Sequence, residues 1–481
     1  MILAIDVGTS SARAALYDEA GRAMEGRFHQ VGYEPAVTAD GGVEHDPRRL
    51  LQAVATCVDA VLAGRRLPDI AGVGVATFWH GLLGFDRTGQ PMTPLYMWAD
   101  TRSAREATLL RGALDEPALH ARTGCHLHAS YWPAKLRWLA RARPEEVARV
   151  ARWGSFGEYL ELSLFGETAT SVSMASATGL LDQTRLTWDV EALAAAELDP
   201  SGLFPLCDRR ESRRGFRPAW ATRWPALRGR PWFPAVGDGA ASNVGSDCVD
   251  VTRVALNVGT SAALRIATPT SVAPPRGLWS YRVDRRLALV GGALSEGGNV
   301  YAWCRDVLRL PDEAQVEATL ATGPPDAHGL TVLPFLAGER APGWRGDRQA
   351  AIVGLGLDTT AIEILRAALE AVALRLALVY DLLRRHAAPH HEVVASGGAV
   401  ARSRAWVQTI ADALGYPVAL CREQQATSRG VALLTLEALG ALPDFAAVRA
   451  PLGEIIHPEA PRQARLRQAL ERQRRLEERL G

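Results

Sequence analysis

The chain has 481 residues, which predicts about two to four domains, and its 48% apolar and 22% charged residues are typical of a globular protein with a large core. Its net charge of +1 excludes a nucleic-acid-binding surface spread over the whole molecule. No apolar run reaches the ~18 residues that span a bilayer, and the start MILAIDVG lacks a basic n-region. The cysteines are scattered without a CxxC pair. We therefore expect a cytoplasmic protein without a membrane or nucleic-acid partner.

Lys135 is the only lysine of the chain. A Walker A loop requires Gly-Lys-Ser/Thr, whereas Lys135 lies in WPAKLRW, so a P-loop is excluded. The strand lysine and helix glutamate of protein kinases are disfavoured for the same reason. A nucleotide-phosphate site in this chain would have to use main-chain amides, hydroxyl groups and Mg²⁺.

The predicted elements of the first half begin with two strands, ILAID and ARAALYD, joined by a tight turn next to Asp6. A helix is predicted over HDPRRLLQAVATCVDAVLAG, with Asp46 as its N-cap. A buried strand over 70–77 and a hairpin turning at 88–89 follow. Strands followed by alternating helices and strands predict the α/β class.

The second half repeats this style after a segment rich in Pro, Gly and aromatic residues at 228–236. We place the domain boundary near 245, which gives an N-terminal domain over 1–245 and a C-terminal domain over 246–481. Strands over 254–293, a long helix from about 360 to 386, and a strand leading into a helix after 392 are predicted. The last 20 or so residues are interpreted as a solvated, charge-paired helix without a function.

Two short stretches in the two halves resemble each other. DVGTS at 6–10 and NVGTS at 257–261 each lie between strand-like flanks. Either stretch alone would be interpreted as an ordinary turn. Two of them at equivalent places predict a duplicated hairpin, and hence two related domains that face each other across a cleft.

The motifs of the chain, in their order, resemble the FGGY carbohydrate kinases of the actin-like ATPase fold, and most of all the gluconokinase branch. The resemblance implies an α/β fold with two actin-like (RNase H-like) ATPase domains and ATP-dependent phosphorylation of a small sugar or sugar acid. The motifs that carry it are DVGTSSAR, HGLLGFDRTGQPMTPLYMWADTRS, TGCHLHASYWPAKLRWL, ASATGL, VGDGAASNVG, NVGTSAALR, GERAPGW and GGAVARSRAWVQTIADALG.

The resemblance implies an ATP site with Mg²⁺ at the two small-residue turns. Asp6 is expected to orient Mg²⁺ through water, since this ion keeps several waters and takes one or two carboxylates plus phosphate oxygens. Turns of this kind bind phosphates through N–H groups without any lysine. Arg13 would add a charge-assisted contact, with an exposed strand arginine as the alternative. The expected phosphate-binding residues are Gly8, Thr9, Ser10, Arg13, Gly259 and Thr260.

Asp238, in VGDGAASN, is the candidate catalytic residue. A sugar hydroxyl must lose its proton as it attacks the γ-phosphorus, and a carboxylate within hydrogen-bond reach serves as the general base. The resemblance places the base, which is also a metal-facing acid, at this aspartate. From the residues alone, an ordinary Asp-Gly turn is equally open. Gly237 and Gly239 are expected to let substrate approach closely.

The adenosine of ATP is expected at ASGGAVARS, where glycines at a strand end leave room for a flat base and ribose. The matching residues are Gly397, Gly398, Ala399 and Arg402. The segment GERAPGW at 338–344 is expected on the nucleotide side of the cleft, or else as a plain structural loop.

Sugar recognition is implied for His80, Asp100 and Arg102, which offer fixed donors and acceptors to a hydroxylated substrate. An aldonate would need a cation, for which Arg102 or His128 is suitable, while His80 could instead be a packing residue. Trp79 before the histidine departs from the family pattern and leaves the sugar open. D-gluconate is the first choice, and xylulose or another polyol the alternative. An actin-like regulator without kinase activity is the alternative from another class. Relatives are often homodimers.

Overall fold

The computed structural model describes residues 1–64, 68–269 and 272–480. The helices of the first half are α1 Pro47–Leu62, α2 Ala104–Ala113, α3 Glu116–Thr123, α4 Trp132–Ala142, α5 Pro144–Val147, α6 Phe156–Phe165, α7 Val172–Ser176, α8 Val190–Ala195, α9 Pro218–Arg223 and α10 Asp238–Gly245. Its strands are β1 Ile2–Val7, β2 Ser11–Tyr17, β3 Ala23–Gly32, β4 Ala36–Val37, β5 Val43–His45, β6 Gly72–Thr77, β7 Leu83–Phe85, β8 Leu95–Tyr96, β9 Arg152–Gly154, β10 Thr170–Ser171, β11 Leu181–Asp182, β12 Thr187–Trp188, β13 Leu206–Cys207 and β14 Val236–Gly237.

The helices of the second half are α11 Gly298–Val307, α12 Glu313–Thr322, α13 Ala361–Leu383, α14 Gly398–Arg402, α15 Arg404–Leu414, α16 Ala426–Ala438 and α17 Ala460–Leu480. Its strands are β15 Arg253–Val258, β16 Ala262–Thr268, β17 Trp279–Arg282, β18 Ala288–Ala293, β19 Thr331–Leu333, β20 Ala351–Val353, β21 Glu392–Ser396, β22 Val418–Cys421 and β23 Leu452–Ile456. None of the helices in the described part of the chain is long and apolar enough to cross a membrane.

Each half is built on one mixed sheet, and the two sheets share a topology. The first has the order β14-β6-β1-β2-β3, with β14, β6 and β1 parallel and β2 antiparallel to both its neighbours. The second contains the equivalent order β22-β21-β15-β16-β18 with the same directions, and β17 and β23 extend it at the two edges. The duplicated α/β fold predicted from the two GTS turns is therefore confirmed.

Strand register decides which side chains share a face at the two hairpins. In the first hairpin Asp6 lies opposite Arg13, so their side chains are on the same face of the sheet. In the second hairpin Asn257 lies opposite Ala263, and the arginine of this strand, Arg265, is two residues further along. The two hairpins occupy equivalent places in their sheets, but the first turn is one residue longer, with Val7 paired to Ala12 and Val258 paired to Ala262, and their cations are placed differently.

Helix α16 joins the two halves. It lies against the first sheet, because a Cβ on Gly74 of β6 would meet the side chains of Thr435 and Val431. It also crosses α10 at a pair of glycines. A Cβ on Gly430 would lie 1.8 Å from the Ala241 carbonyl oxygen, and one on Gly245 would lie 1.7 Å from that of Ala426. The two helices approach this closely only because neither carries a side chain there.

Two predicted elements differ from the structure. The turn at 86–90 forms, but β7 pairs with β9 and β8 pairs with β5, so the hairpin predicted around 88–89 is limited to isolated bridges. The C-terminal helix α17 is not merely solvated. Its Leu466 and Ala469 are buried, and it forms ion pairs with the core of the second half. The charge pattern of α17 did not predict its burial, because arginine and glutamate also occur in buried ion-pair networks.

Candidate active site

The first GTS turn is held in shape by partners from outside the hairpin. The Tyr33 hydroxyl donates to the Gly8 carbonyl oxygen at 2.7 Å, and His45 Nε2 lies 2.9 Å from the Thr9 carbonyl oxygen. The Trp98 indole N–H lies 3.4 Å from Thr9 Oγ1. Because carbonyl oxygens on one side of the turn are engaged, its shape is fixed before any ligand binds.

The second GTS turn is braced by the beginning of α11. The N–H of Gly298 donates to the Gly259 carbonyl oxygen at 2.8 Å, and that of Asn299 donates to the Thr260 carbonyl oxygen at 3.0 Å. A Cβ on Gly298 would lie 2.7 Å from that same Gly259 oxygen. The contacts of Gly298 and Asn299 with this turn were not predicted from the sequence. The run Gly297-Gly298-Asn299 is the signal that could have indicated them.

A cleft of about 700 Å³ opens beside the second turn. It contains five residues predicted for ATP: Gly259, Thr260, Gly398, Ala399 and Arg402, together with Arg13 from the first hairpin. Its apolar wall is formed by Val316, Leu320 and Leu369. A volume of this size fits a nucleotide-sized ligand.

Of the two predicted adenosine glycines, only one leaves free space. No atom lies within 4 Å of a Cβ built on Gly398, which therefore opens onto the cleft. Gly397 has φ +106°, and its Cβ would lie 2.5 Å from the Val258 carbonyl oxygen. It is needed for the passage of the chain from β21 to α14, next to β15.

Two carboxyl groups approach the region between the hairpins. Asp6 is 2% exposed and its Oδ2 lies 2.9 Å from Arg13 Nη1. Burial raises its pKa, and the arginine opposes that shift. Asp238 is the first residue of α10, directly after β14. Burial raises the pKa of Asp238 to about 6, Arg265 opposes the shift, and the charge of Asp6 adds to it. The two acids are therefore close enough to interact.

The residues fit a hydrated Mg²⁺. Within the described ranges no cluster of three His, Cys, Asp or Glu side chains surrounds a common point, so a cation would rely on phosphate oxygens and water for most of its ligands. Two mutually repelling carboxyl groups are the donors that a divalent cation favours. Asp6 and Asp238 would hold the ion.

The glycines that flank Asp238 make room for side chains of the protein and not for substrate. A Cβ on Gly237 would lie 1.9 Å from the Trp79 ring, and one on Gly239 would lie 2.5 Å from that ring and 3.1 Å from Arg265 Nε. The indole N–H of Trp79 donates to the Ser173 carbonyl oxygen at 3.0 Å. Trp79 is therefore a buried wall beside the catalytic candidate, which corrects the expectation that these glycines let substrate approach.

His80 is fixed as a neutral ring. Its backbone is left-handed, with φ +69°, and its Nδ1 lies 2.7 Å from the Ala177 carbonyl oxygen. Burial lowers its pKa to about 3. With the proton on Nδ1, the other ring nitrogen is a hydrogen-bond acceptor. The rings of Tyr131 and Tyr281 lie edge-on, with centroids 5.2 and 5.5 Å away.

Asp100 and Arg102 are bound to each other. Arg102 Nη2 lies 2.5 Å from Asp100 Oδ2 and 3.3 Å from Glu44 Oε2, and its guanidinium lies over the Trp138 ring at 4.5 Å. The Val43 N–H also donates to Asp100 at 3.2 Å. The contact of Asp100 and Arg102 with substrate stays a prediction. Because Asp100 neutralises the charge of Arg102, this arginine is not a free counter-ion for an aldonate.

His128 also differs from its predicted role as a cation. Its Nδ1 accepts the Ser130 N–H at 3.1 Å, and burial lowers its pKa well below the usual value. The ring is therefore neutral at physiological pH. Since Nδ1 is an acceptor, the proton lies on Nε2, so His128 can donate a hydrogen bond to an anion but supplies no positive charge.

The GERAPGW segment contacts the first half of the chain and is not part of the lining of the cavity beside the second turn, so its expected place on the nucleotide side stays a prediction. The guanidinium of Arg340 lies 4.2 Å from the centre of the Trp98 ring. Trp344 stacks on His126 at 4.9 Å and meets His128 at 5.4 Å. These contacts join segments more than 200 residues apart in the chain, so no local sequence pattern predicts them.

The comparisons with known proteins agree with this geometry. The model of the N-terminal domain of the FGGY family of carbohydrate kinases matches residues 1–245, and that of the C-terminal domain matches residues 254–439. A gluconokinase from Bacillus subtilis (strain 168) is 29% identical, over 94% of this chain and 90% of that protein. A glycerol kinase from Stenotrophomonas maltophilia (strain R551-3) is 31% identical, over 91% and 90%. The structure of a ligand-bound xylulose kinase from Lactobacillus acidophilus has a TM-score of 0.88 and 25% identity, and covers 100% of this chain and 98% of that one.

The family match sets aside the alternative of an actin-like regulator without kinase activity. The duplicated sheets, the two braced GTS turns and the match of both family models lead to one conclusion. The chain belongs to the FGGY family of carbohydrate kinases, within which it resembles the gluconokinase branch, and it is an ATP-dependent sugar kinase.

Proposed function

We propose that the protein transfers the γ-phosphate of ATP to the terminal hydroxyl of a small sugar acid, with D-gluconate as the first substrate. The observation that carries the transfer itself is that Asp238 interacts with Asp6 beside the first turn and with Arg265 from the second hairpin. Similarity to the Bacillus subtilis gluconokinase supports the choice of substrate.

In this mechanism Asp238 is the general base. Its pKa of about 6 leaves it mostly ionised at pH 7, while it is a better proton acceptor than an ordinary aspartate. It takes the proton of the attacking hydroxyl as the bond from that oxygen to the γ-phosphorus forms. The bond from the γ-phosphorus to the β,γ-bridging oxygen breaks, and ADP leaves. The proton on Asp238 then passes to solvent.

The two turns align the polyphosphate for in-line transfer. The hydroxyls and the remaining main-chain N–H groups of the two turns bind the phosphates from opposite sides, and Arg13 adds positive charge. The N–H groups of Gly8 and Gly259 close the turns by donating to the Ser11 and Ser261 carbonyl oxygens. Mg²⁺, when bound, would neutralise part of the phosphate charge. We assign Asp6 and Asp238 as the residues that hold this ion. The adenosine lies against the apolar wall of the cleft, next to Gly398 and Ala399.

Xylulose or another polyol is the second candidate for the substrate. It is supported by the similarity to a xylulose kinase in structure and to a glycerol kinase in sequence. ADP release with D-gluconate, D-xylulose, glycerol and D-glucitol at equal concentrations separates the candidates. We expect the highest kcat/KM with D-gluconate, and a higher value with any of the neutral compounds would contradict the proposal.

We further propose that the protein works in the cytoplasm on a free small molecule, without nucleic-acid or membrane partners, and as a homodimer. These proposals rest on the composition and on the family. Light scattering of the purified protein checks the oligomeric state.

A further inference from the structure

Two arginines of the second half, Arg265 and Arg340, approach residues predicted for catalysis and sugar binding. Arg265 extends from β16, and its Nε comes near Gly239. Arg340 is 6% exposed and lies over Trp98. Across the described residues neither guanidinium forms an ion pair with a carboxylate. Arg340 Nε, Arg265 Nε and Arg265 Nη1 lack any hydrogen-bond partner there.

Other buried arginines of the chain are compensated by acids. Arg209 pairs with Asp284 at 2.9 Å, and Arg375 pairs with Glu339. Arg282, which also has an unpartnered Nε, is compensated by the charge of Asp284, and Arg265 is compensated in the same way by that of Asp238. Since a guanidinium taken out of water is costly unless it is paired, the remaining arginine, Arg340, is suited to bind an anion.

The charge of Arg265 is balanced by the ionised Asp238. The groups around Arg340 do not neutralise it. Burial raises the pKa of Glu296 to about 8, so this acid near Arg340 is protonated at neutral pH. His80 is neutral, and Asp100 is bound to Arg102. Arg340 therefore carries an unbalanced positive charge in the absence of ligand.

The two arginines act on different parts of the cleft. Arg265 is the cation with the strongest influence on Asp238. Arg340 is the cation with the strongest influence on His80. A chain-like substrate whose reacting hydroxyl lies at Asp238 would pass Arg265 and extend towards His80 and Arg340.

We propose that Arg340 provides the positive site that binds the carboxylate of the substrate, and so selects an aldonate over a neutral polyol or ketose. Arg265 stays beside Asp238 at the reacting end. This inference rests on the proposed function and adds a residue that determines its specificity. Guanidinium groups bind carboxylates through charge-assisted, often paired, hydrogen bonds. A phosphate of ATP is the other anion that could reach Arg340, and the test separates the two sources.

The test compares D-gluconate with D-glucitol, which has CH₂OH in place of the carboxylate. We expect the wild type to prefer D-gluconate in kcat/KM. The variant Arg340→Gln should reduce that preference by at least about tenfold, since a charge-assisted hydrogen bond is lost. Arg265→Gln should lower kcat with both substrates alike. Arg282→Gln is the matched control, because it removes a buried arginine outside the cleft, and its preference should stay that of the wild type.

The outcomes are distinct. Equal losses with D-gluconate and D-glucitol in Arg340→Gln, together with a raised KM for ATP, would mean that Arg340 binds the phosphate, and would overturn the inference while the proposed function stands. A wild type that prefers D-glucitol would overturn both. If Arg340→Gln fails to fold, Arg340→Lys and the thermal shift of the wild type replace it. D-gluconate must then raise the wild-type Tm more than D-glucitol does, and equal shifts overturn the inference.

Discussion

At the scale of single residues, the catalytic candidate owes its properties to what surrounds it. Asp238 begins α10, between the Trp79 ring that fills the space beside Gly237 and the arginine that approaches Gly239. Burial raises its pKa and Arg265 limits the rise to about 6. Its basicity is thus matched to a proton transfer near neutral pH.

Asp238→Asn removes the proton acceptor while keeping the size of the side chain. We expect kcat to fall by about 100- to 10,000-fold, the usual contribution of a general base, with little change in the Kd for ATP measured without Mg²⁺. Steady-state kinetics and nucleotide titration measure the two quantities. Asp250→Asn, at an exposed turn, is the control and should keep wild-type kcat. A parallel loss of nucleotide affinity would show that Asp238 acts on ATP instead.

At the scale of elements, the site depends on contacts that hold helices and loops in place. Helices α10 and α16 cross at two glycines, and α10 carries the catalytic candidate. Helix α17 reaches back to the loop after β19, which brings Arg340 and Trp344 to the first half of the chain. Both arrangements join segments from distant parts of the chain.

Gly430→Ala tests the helix crossing. The new Cβ would lie 1.8 Å from the Ala241 carbonyl oxygen, so the helices must separate. We expect a loss of about 1–3 kcal/mol in the free energy of unfolding, the usual cost of overpacking, and a lower kcat. Gly112→Ala is the control, because nothing lies within 4 Å of that position in α2 and alanine favours a helix. A wild-type Tm in Gly430→Ala would contradict the close crossing.

Glu477→Gln tests whether α17 positions the substrate loop. Glu477 Oε2 lies 2.6 Å from Arg375 Nη1, its other oxygen contacts Arg348, and both arginines also bind Glu339 beside Arg340. Breaking a buried pair costs about 3–5 kcal/mol. We expect a lower Tm and a higher KM for the sugar with an unchanged KM for ATP.

The neighbouring Glu478→Gln removes the same charge at an exposed position and serves as the control. If both variants have the same KM for the sugar, α17 has only a stabilising role.

At the scale of the whole molecule, histidines of the first half join it to the second half as neutral rings. His120 Nε2 lies 2.8 Å from the Leu278 carbonyl oxygen, and His126 stacks between His120 at 3.9 Å and Trp344 at 4.9 Å. Burial lowers the pKa of His120 to about 4 and also lowers that of His126. Protonation therefore opposes the contact between the halves.

The stability of the protein should consequently fall in acid. A histidine whose pKa is lowered by folding contributes stability that is present above pH 6.5 and is lost as the pH falls towards the folded-state pKa, because the unfolded chain binds the proton first. For His120 the loss at pH 5 is about 2 kcal/mol. We expect a Tm that falls from pH 7.5 to pH 5, and a shallower fall in His120→Gln. An equal slope in both proteins would contradict this assignment.

The sequence by itself determined the class of the fold, the duplication and the family, because these depend on local periodicity and on motifs in order. The turns at 6–10 and 257–261 are visible as short strings, and the sheets that carry them have the predicted equivalence. The roles of the predicted site residues, including Asp238, His80 and Asp100, remain predictions for the experiments above.

Only the tertiary structure decided which charges are free. Arg102 is neutralised by Asp100, whereas Arg340 is not paired with an acid within the described chain, and nothing in their neighbouring residues distinguishes them. The contacts of the GERAPGW segment with the first half and the burial of α17 were likewise not predicted. The physical reason is that pairing, burial and desolvation are set by residues far away in the chain, which a local pattern does not contain.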